Sequence, residues 1–207
     1  MKISLTDAGK RFNRDWIFRH LSYEFQSGTA YAITGPNGSG KSTLLQVLSG
    51  AMQLNEGNID FKPGSGNPKT GNENTFQQIS ICAPYLELIE EMTLIEFLQF
   101  HHRFKPFIAA ISADRIIALL GLEEAAHKQI RHFSSGMKQR VKLAQAVFSD
   151  VPVVLLDEPC TNFDAAGTDL YLNLVNDYCK QRLVIVSSND EAEYGFCRER
   201  INMNDFK

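Results

Sequence analysis

Eight consecutive residues, Gly35-Pro36-Asn37-Gly38-Ser39-Gly40-Lys41-Ser42, limit what this chain can fold into more than any other stretch. The glycines let the backbone curl so that successive N–H groups point inward, where a β-carbon would obstruct. The segment Thr29 to Thr34 before them reads as a short apolar strand, and from Lys41 the apolar residues Leu44, Leu45, Val47 and Leu48 fall at helical spacing, with Gly50 where a helix would stop. A strand that passes through such a turn into a helix aims free N–H groups and the positive end of the helix dipole at one point. The pattern G-x-x-x-x-G-K-[ST] therefore predicts a cradle for the phosphates of a nucleotide. Lys41 is expected to neutralise β- and γ-phosphate charge, and the Ser42 hydroxyl to ligate Mg²⁺.

A second stretch supplies what the turn lacks. Val151-Pro152-Val153-Val154-Leu155-Leu156 is an apolar run suited to a strand buried on both faces of a parallel sheet, and it ends in Asp157-Glu158-Pro159. A carboxylate at the end of such a strand can hold the hydration shell of Mg²⁺, which is the expectation for Asp157. Glu158 is expected to polarise an attacking water as general base. Acidic residues also end strands simply as turn formers, but their pairing with the phosphate turn favours the chemical reading.

The rest of the chain fits an α/β core with an inserted helical lobe. Lys2 to Thr6 and Leu21 to Phe25 alternate as strands do, and Phe76 to Ala83 and Leu183 to Val186 are further strand candidates. Lys62 to Thr75, rich in Gly, Pro, Asn and Lys, reads as a surface loop. Helices are expected from about Ser135 to Ser149 and Ala165 to Lys180. Between about 86 and 132, Leu94, Phe97, Leu98 and Phe104 mark one apolar helical face, and Ile116, Ile117, Leu119 and Leu120 another, closed by Gly121. The 207 residues suit a single domain of this kind. A net charge of −3 gives no positive field for nucleic acid or anionic lipid. The cysteines (Cys82, Cys160, Cys179, Cys197) form no C-x-x-C pair, and the histidines show no metal-ligand spacing. No apolar run approaches the ~20 residues that span a bilayer, the first residues lack a signal-peptide core, and no room for a further domain is expected after the last core strand.

Between the two motifs stands Phe133-Ser134-Ser135-Gly136-Met137-Lys138-Gln139-Arg140-Val141. Here the chain resembles the ATP-binding subunits of the ABC transporter family, whose Leu-Ser-Gly-Gly-Gln signature precedes a basic helical stretch and then the carboxylate strand. Thr161-Asn162-Phe163-Asp164 resembles the family's D-loop, and Phe12 in Lys10-Arg11-Phe12 stands where the family stacks adenine, with Trp16 as a competitor. The order of motifs agrees over almost the whole chain. The resemblance implies a P-loop NTPase core with a mostly parallel sheet and an N-terminal antiparallel β subdomain. It implies nucleotide contacts from Gly35, Pro36, Asn37, Gly38, Ser39, Gly40, Lys41, Ser42 and Thr43, with Ser42 and Asp157 at the metal. Ser134, Ser135 and Gly136 would meet the γ-phosphate of ATP held by another subunit, beside Asp164. A plain helix cap at Ser134 uses the same donors, so both roles are compatible.

Two departures from the family stand out. Its glutamine before the helical lobe is replaced by Pro84, which has no side-chain amide, and its switch histidine by Asn189 in Ser188-Asn189-Asp190. Asn189 can donate a hydrogen bond to a γ-phosphate but cannot carry a proton. The resemblance thus implies an ATPase that uses ATP and Mg²⁺, slowed or more partner-dependent. It would form a homodimer or pair with a related ATPase subunit, and would sit on the cytoplasmic face of the membrane beneath a transmembrane transporter subunit. Tyr85, Leu86, Leu88, Ile89 and Met92, with the surplus apolar residues after Leu94, are candidates for that contact. Two other readings stay open: a soluble ATPase of the same type not tied to transport, and a nucleotide-binding module with weak hydrolysis.

Overall fold

Alternating apolar residues build the strands β1 (Lys2–Phe12) and β2 (Asp15–Gln26), and a third, β3 (Ala30–Thr34), runs into the glycine turn and helix α1 (Lys41–Leu48). The computed structural model describes residues 1–62, 72–109 and 111–207. They fall into two units, Met1–Ile81 with Val151–Asp157 and Lys180–Lys207, and Cys82–Asp150 with Glu158–Cys179.

In the first unit, β1 pairs antiparallel with β2 on one edge and with β4 (Glu56–Lys62) on the other. The register sets Ile3 opposite Phe25 and Phe61, so the inward positions of β1 and β2 (Ile3, Leu5, Leu21, Phe25) are buried. β4 carries no apolar alternation strong enough to predict it. Ile59 and Phe61 are half-buried, and β1 recruits the strand by pairing. Of the loop expected over 62–75, residues 63–71 lie outside the described residues. Asn72–Gln78 forms a 3-10 helix, and β5 (Ile79–Cys82) begins at Ile79 rather than at Phe76, whose ring is exposed.

The second sheet has the order β5-β6-β7-β3-β8, with β6 (Val153–Asp157), β7 (Leu183–Ser187) and β8 (Glu199–Asn202). β6, β7, β3 and β8 run parallel. Every residue of β6 and β7 is buried, which explains why both read as unbroken apolar runs. Val153 and Leu155, Leu183 and Ile185, and Tyr31 and Ile33 join Leu44, Leu45 and Leu48 of α1 in one core. The parallel register brings the carboxyl ends of β6, β7 and β3 level: Asp157 is beside Ser187, and Ser187 beside Ile33. In open α/β sheets such an end is where ligands bind.

The second unit is helical. α2 (Leu94–Phe104) starts at a capping box in which Thr93 accepts the Glu96 N–H and Glu96 reaches back to Thr93. It buries Leu94, Phe97, Leu98 and His101. Phe104, expected on that face, is 72% exposed instead and stands edge-on to Phe100 at 4.9 Å. α3 (Ala113–Leu119) is capped by Ser112, and Gly121 (φ 64°) follows its end. α4 (Ser135–Phe148) packs on α5 (Ala165–Tyr178), with Phe148 edge-on to Tyr178. The segment 86–132 lies within this unit, which also takes in α4 and α5. No described helix is long and apolar enough to cross a membrane.

Candidate functional site

The glycine turn closes on itself. Ser39 N–H donates to the Pro36 carbonyl at 3.0 Å, and Gly40 caps α1 in a left-handed conformation (φ 102°). A side chain at Gly40 would bring a β-carbon to 2.4 Å from Ile17 Cγ2, so only glycine lets β2 pass this close to the turn. At Gly38 (φ 77°) a β-carbon would meet nothing within 4 Å, so this side of the curl faces open space.

Lys41 is buried beneath the curl, where its Nζ donates to the carbonyls of Gly35 (2.8 Å) and Pro36 (3.4 Å). An amine donor buried under the curl and aimed at its carbonyls suits a site for an anion. Ser42 and Thr43 follow on the first turn of α1. Asp157 ends β6 almost wholly buried. Two hydroxyls of the same unit, Ser39 Oγ and Ser187 Oγ, are buried with no hydrogen-bond partner among the described residues. A glycine cradle, a buried lysine, a buried carboxylate and orphaned hydroxyls fit a polyphosphate carrying a divalent cation. Among the described residues, no group of three His, Cys, Asp or Glu side chains forms a metal cluster of its own.

Asn189 joins this site by bonding to the turn. Its Oδ1 accepts the Gly35 N–H at 3.2 Å, and its Nδ2 donates to Asn37 Oδ1 at 3.2 Å. Phe12 lies at the end of β1, 47% exposed, with Lys10 Nζ 5.4 Å from its ring centroid. The competing Trp16 already has cationic neighbours, with the Arg19 guanidinium 4.2 Å and that of Arg11 5.4 Å from its ring centroid, and Gly9 packs close against the ring.

In the second unit, Glu158 directly follows Asp157 in the chain and adopts a left-handed backbone (φ 44°), uncommon for a residue with a side chain. Its carbonyl is held twice, by the Thr161 N–H (3.1 Å) and hydroxyl (2.8 Å). Buried Gln139 of α4 donates to the next carbonyl, that of Pro159, at 2.8 Å. Sequence reasoning assigned no role to Gln139. Its signal was a polar residue one turn into a helix that otherwise buries Val141, Leu143 and Ala144.

Ser134 caps α4, its Oγ accepting the Met137 N–H at 3.2 Å. Ser134, Ser135 and Gly136 line an open pocket of about 850 Å³ together with Arg140, Asn162 and Asp164. Gly136 leaves no slack there, because a β-carbon would stand 3.2 Å from the Asn162 carbonyl. Asp164 itself caps α5, accepting the Gly167 N–H at 2.8 Å. Pro84, expected where the family has an amide, lines a separate groove of about 490 Å³ with Tyr85, Leu88, Glu90, Lys138 and Lys142. The Lys142 ammonium donates to the Pro84 carbonyl at 2.9 Å.

Residues 18–161 match the family described as ABC transporter. The chain is 30% identical to the ABC transporter ATP-binding protein YybJ of Bacillus subtilis, over 98% of this chain and 92% of that protein. It is 30% identical to YxlF of the same organism over 90% of this chain, but spans only 62% of that relative's length. The cytochrome c biogenesis ATP-binding export protein CcmA of Rhizobium meliloti is 27% identical, over 92% of both chains. In fold, the chain superposes on the ATP-binding subunit of an ABC transporter (TM-score 0.82, 22% identity, 98% of this chain and 85% of that one). It also superposes on the ATP-binding cassette MJ0796, solved as a dimer in a post-hydrolysis state with ADP and Pi (TM-score 0.80, 21% identity, 97% and 93%).

Proposed function

This chain belongs to the ABC transporter family, and we propose that it is the subunit that binds and hydrolyses ATP for a transporter whose membrane-crossing part is another protein. The observation that carries the reading is the buried Lys41 ammonium, folded under a glycine turn to whose carbonyls it donates, at the sheet end where Asp157 is also buried. A triphosphate entering the turn offers Lys41 the anionic oxygens that it lacks. Gly35 to Ser42 and Thr43 cradle the phosphates, and Ser42 and Asp157 hold the cation. When bound, Mg²⁺ offsets charge on the β- and γ-phosphate oxygens. Phe12, whose side chain is exposed, stacks on the adenine.

Glu158 is the general base, accepting a proton from the attacking water. The doubly held carbonyl of Glu158 and the Gln139 bond to Pro159 support this role, because they fix the backbone from which the carboxylate projects. Ser134, Ser135, Gly136 and Asp164 serve the nucleotide of a second copy or of a related subunit; the open pocket at the start of α4 leaves those donors accessible. The partner in the membrane meets exposed apolar residues such as Tyr85 and Ile89, and the protein works on the cytoplasmic face. Lacking an amide at Pro84 and an imidazole at Asn189, it turns over slowly without that partner.

Titration of the wild type and of Glu158→Gln with Mg·ATP, followed by light scattering, tests the reading. Binding by both, loss of turnover in Glu158→Gln, and ATP-dependent pairing of that variant are expected. No uptake of Mg·ATP, or wild-type turnover by Glu158→Gln, overturns it. ATPase rates with and without the membrane partner decide whether hydrolysis serves transport.

A further inference from the structure

The last residue of β7 is polar, where the four before it are apolar and all five are buried. Ser187 is wholly buried, and its Oγ has no hydrogen-bond partner among the described residues. An unmade hydrogen bond of that kind costs about 1–3 kcal/mol, so a hydroxyl kept there needs a reason that packing does not provide.

Its position supplies one. Side chains alternate across a strand. Leu183 and Ile185 point into the core that holds α1, so Ser187 lies on that same face. In β6, Val153 and Leu155 belong to the same core, so Asp157 shares the face as well. The parallel register pairs Asp157 directly with Ser187, and Ser187 with Ile33 just before the glycine turn. An orphaned hydroxyl thus stands beside the buried carboxylate, on the side of the sheet covered by the helix that begins Lys41-Ser42.

The geometry points to Ser187 as a positioning residue for the divalent cation: its hydroxyl completes a hydrogen bond with water held between the ion and Asp157 once the metal nucleotide is bound. This rests on the function proposed above. The role differs from that of Ser42, which ligates the ion directly, because Ser187 acts through water and through Asp157. The hydroxyl has no hydrogen-bond partner among the described residues, so its removal is expected to leave the fold intact and to weaken only the metal-loaded state.

Mn²⁺ serves as the probe. Binding of Mn·ATP, followed by calorimetry and by the electron paramagnetic resonance of the ion, is compared with binding of ATP in excess chelator, for wild type, Ser187→Ala and Ser187→Thr. In Ser187→Ala, Mn·ATP affinity is expected to fall about tenfold with a changed Mn²⁺ spectrum, while metal-free ATP affinity and the unfolding midpoint of the free protein hold. Ser187→Thr, which keeps the hydroxyl, retains wild-type Mn·ATP binding. Equal Mn·ATP affinity in Ser187→Ala and wild type overturns the inference and leaves the proposed function standing. An equal fall for metal-free ATP, or a lowered midpoint, assigns Ser187 a structural role and also overturns it. Failure of the wild type to take up Mn·ATP removes both.

Discussion

Asn189 accepts a hydrogen bond from the backbone N–H of Gly35 at 3.2 Å, so a residue two past the end of β7 holds the first glycine of the phosphate turn. The same side chain donates to Asn37, which makes it a clasp over one flank of the turn. In Asn189→Ala both bonds are lost. ATP affinity is expected to fall about fivefold, at about 1 kcal/mol of net hydrogen bonding, and turnover to fall with it. Isothermal titration and a steady-state phosphate assay measure the two. Unchanged turnover in this variant removes the role of Asn189.

The glycines of the turn are not equivalent. Gly40→Ala combines a left-handed backbone with a β-carbon 2.4 Å from Ile17, and is expected to destabilise by about 3 kcal/mol. Gly38→Ala carries only the backbone penalty, about 1 kcal/mol, because nothing stands within 4 Å of the new carbon. Urea denaturation of both variants checks the difference. Equal losses would show that contact with β2 does not set the turn.

The cap that Ser134 makes on α4 can be separated from the contact proposed for it with a second subunit's nucleotide. Loss of its cap to Met137 in Ser134→Ala is expected to lower stability by about 1 kcal/mol. The double variant Ser134→Ala with Glu158→Gln should still bind Mg·ATP but no longer pair in its presence. Sedimentation velocity reads the pairing. If the double variant pairs as tightly as Glu158→Gln alone, Ser134 is a cap and nothing more.

His101 makes stability sensitive to acid. The ring is buried, its Nε2 2.9 Å from Ser149 Oγ and its Nδ1 3.1 Å from Gln145 Nε2. Burial, helped by Lys105 and His102, pushes its pKa down to about 4 from 6.5. The unfolded chain therefore binds the proton first as pH falls. This contribution to stability is intact above pH 6.5, drains away between 6.5 and 4, and is constant below, a span of at most ~3 kcal/mol. Denaturation of wild type and His101→Gln across that range should give curves that converge toward acid. Parallel curves would mean that His101 does not carry the effect.

What could be read without coordinates is what short-range chemistry dictates. The turn from Gly35 to Ser42 states its strand, its curl and its helix in adjacent residues, and β6 and β7 announce burial on both faces by having no polar residue before their last position. The start of α4 at Ser134 was equally local, because a serine cap and the helix that it caps are sequence neighbours. Tertiary structure decided whatever depends on distant partners. β4 is a strand because β1 offers it an edge, and Phe104 is exposed as the last residue of a helix whose buried positions stop at His101. The clasp of Asn189 on Gly35 and the pairing of Ser187 with Asp157 join residues far apart in the chain. Only the parallel register, a long-range property of the folded sheet, carries them to the same strand ends.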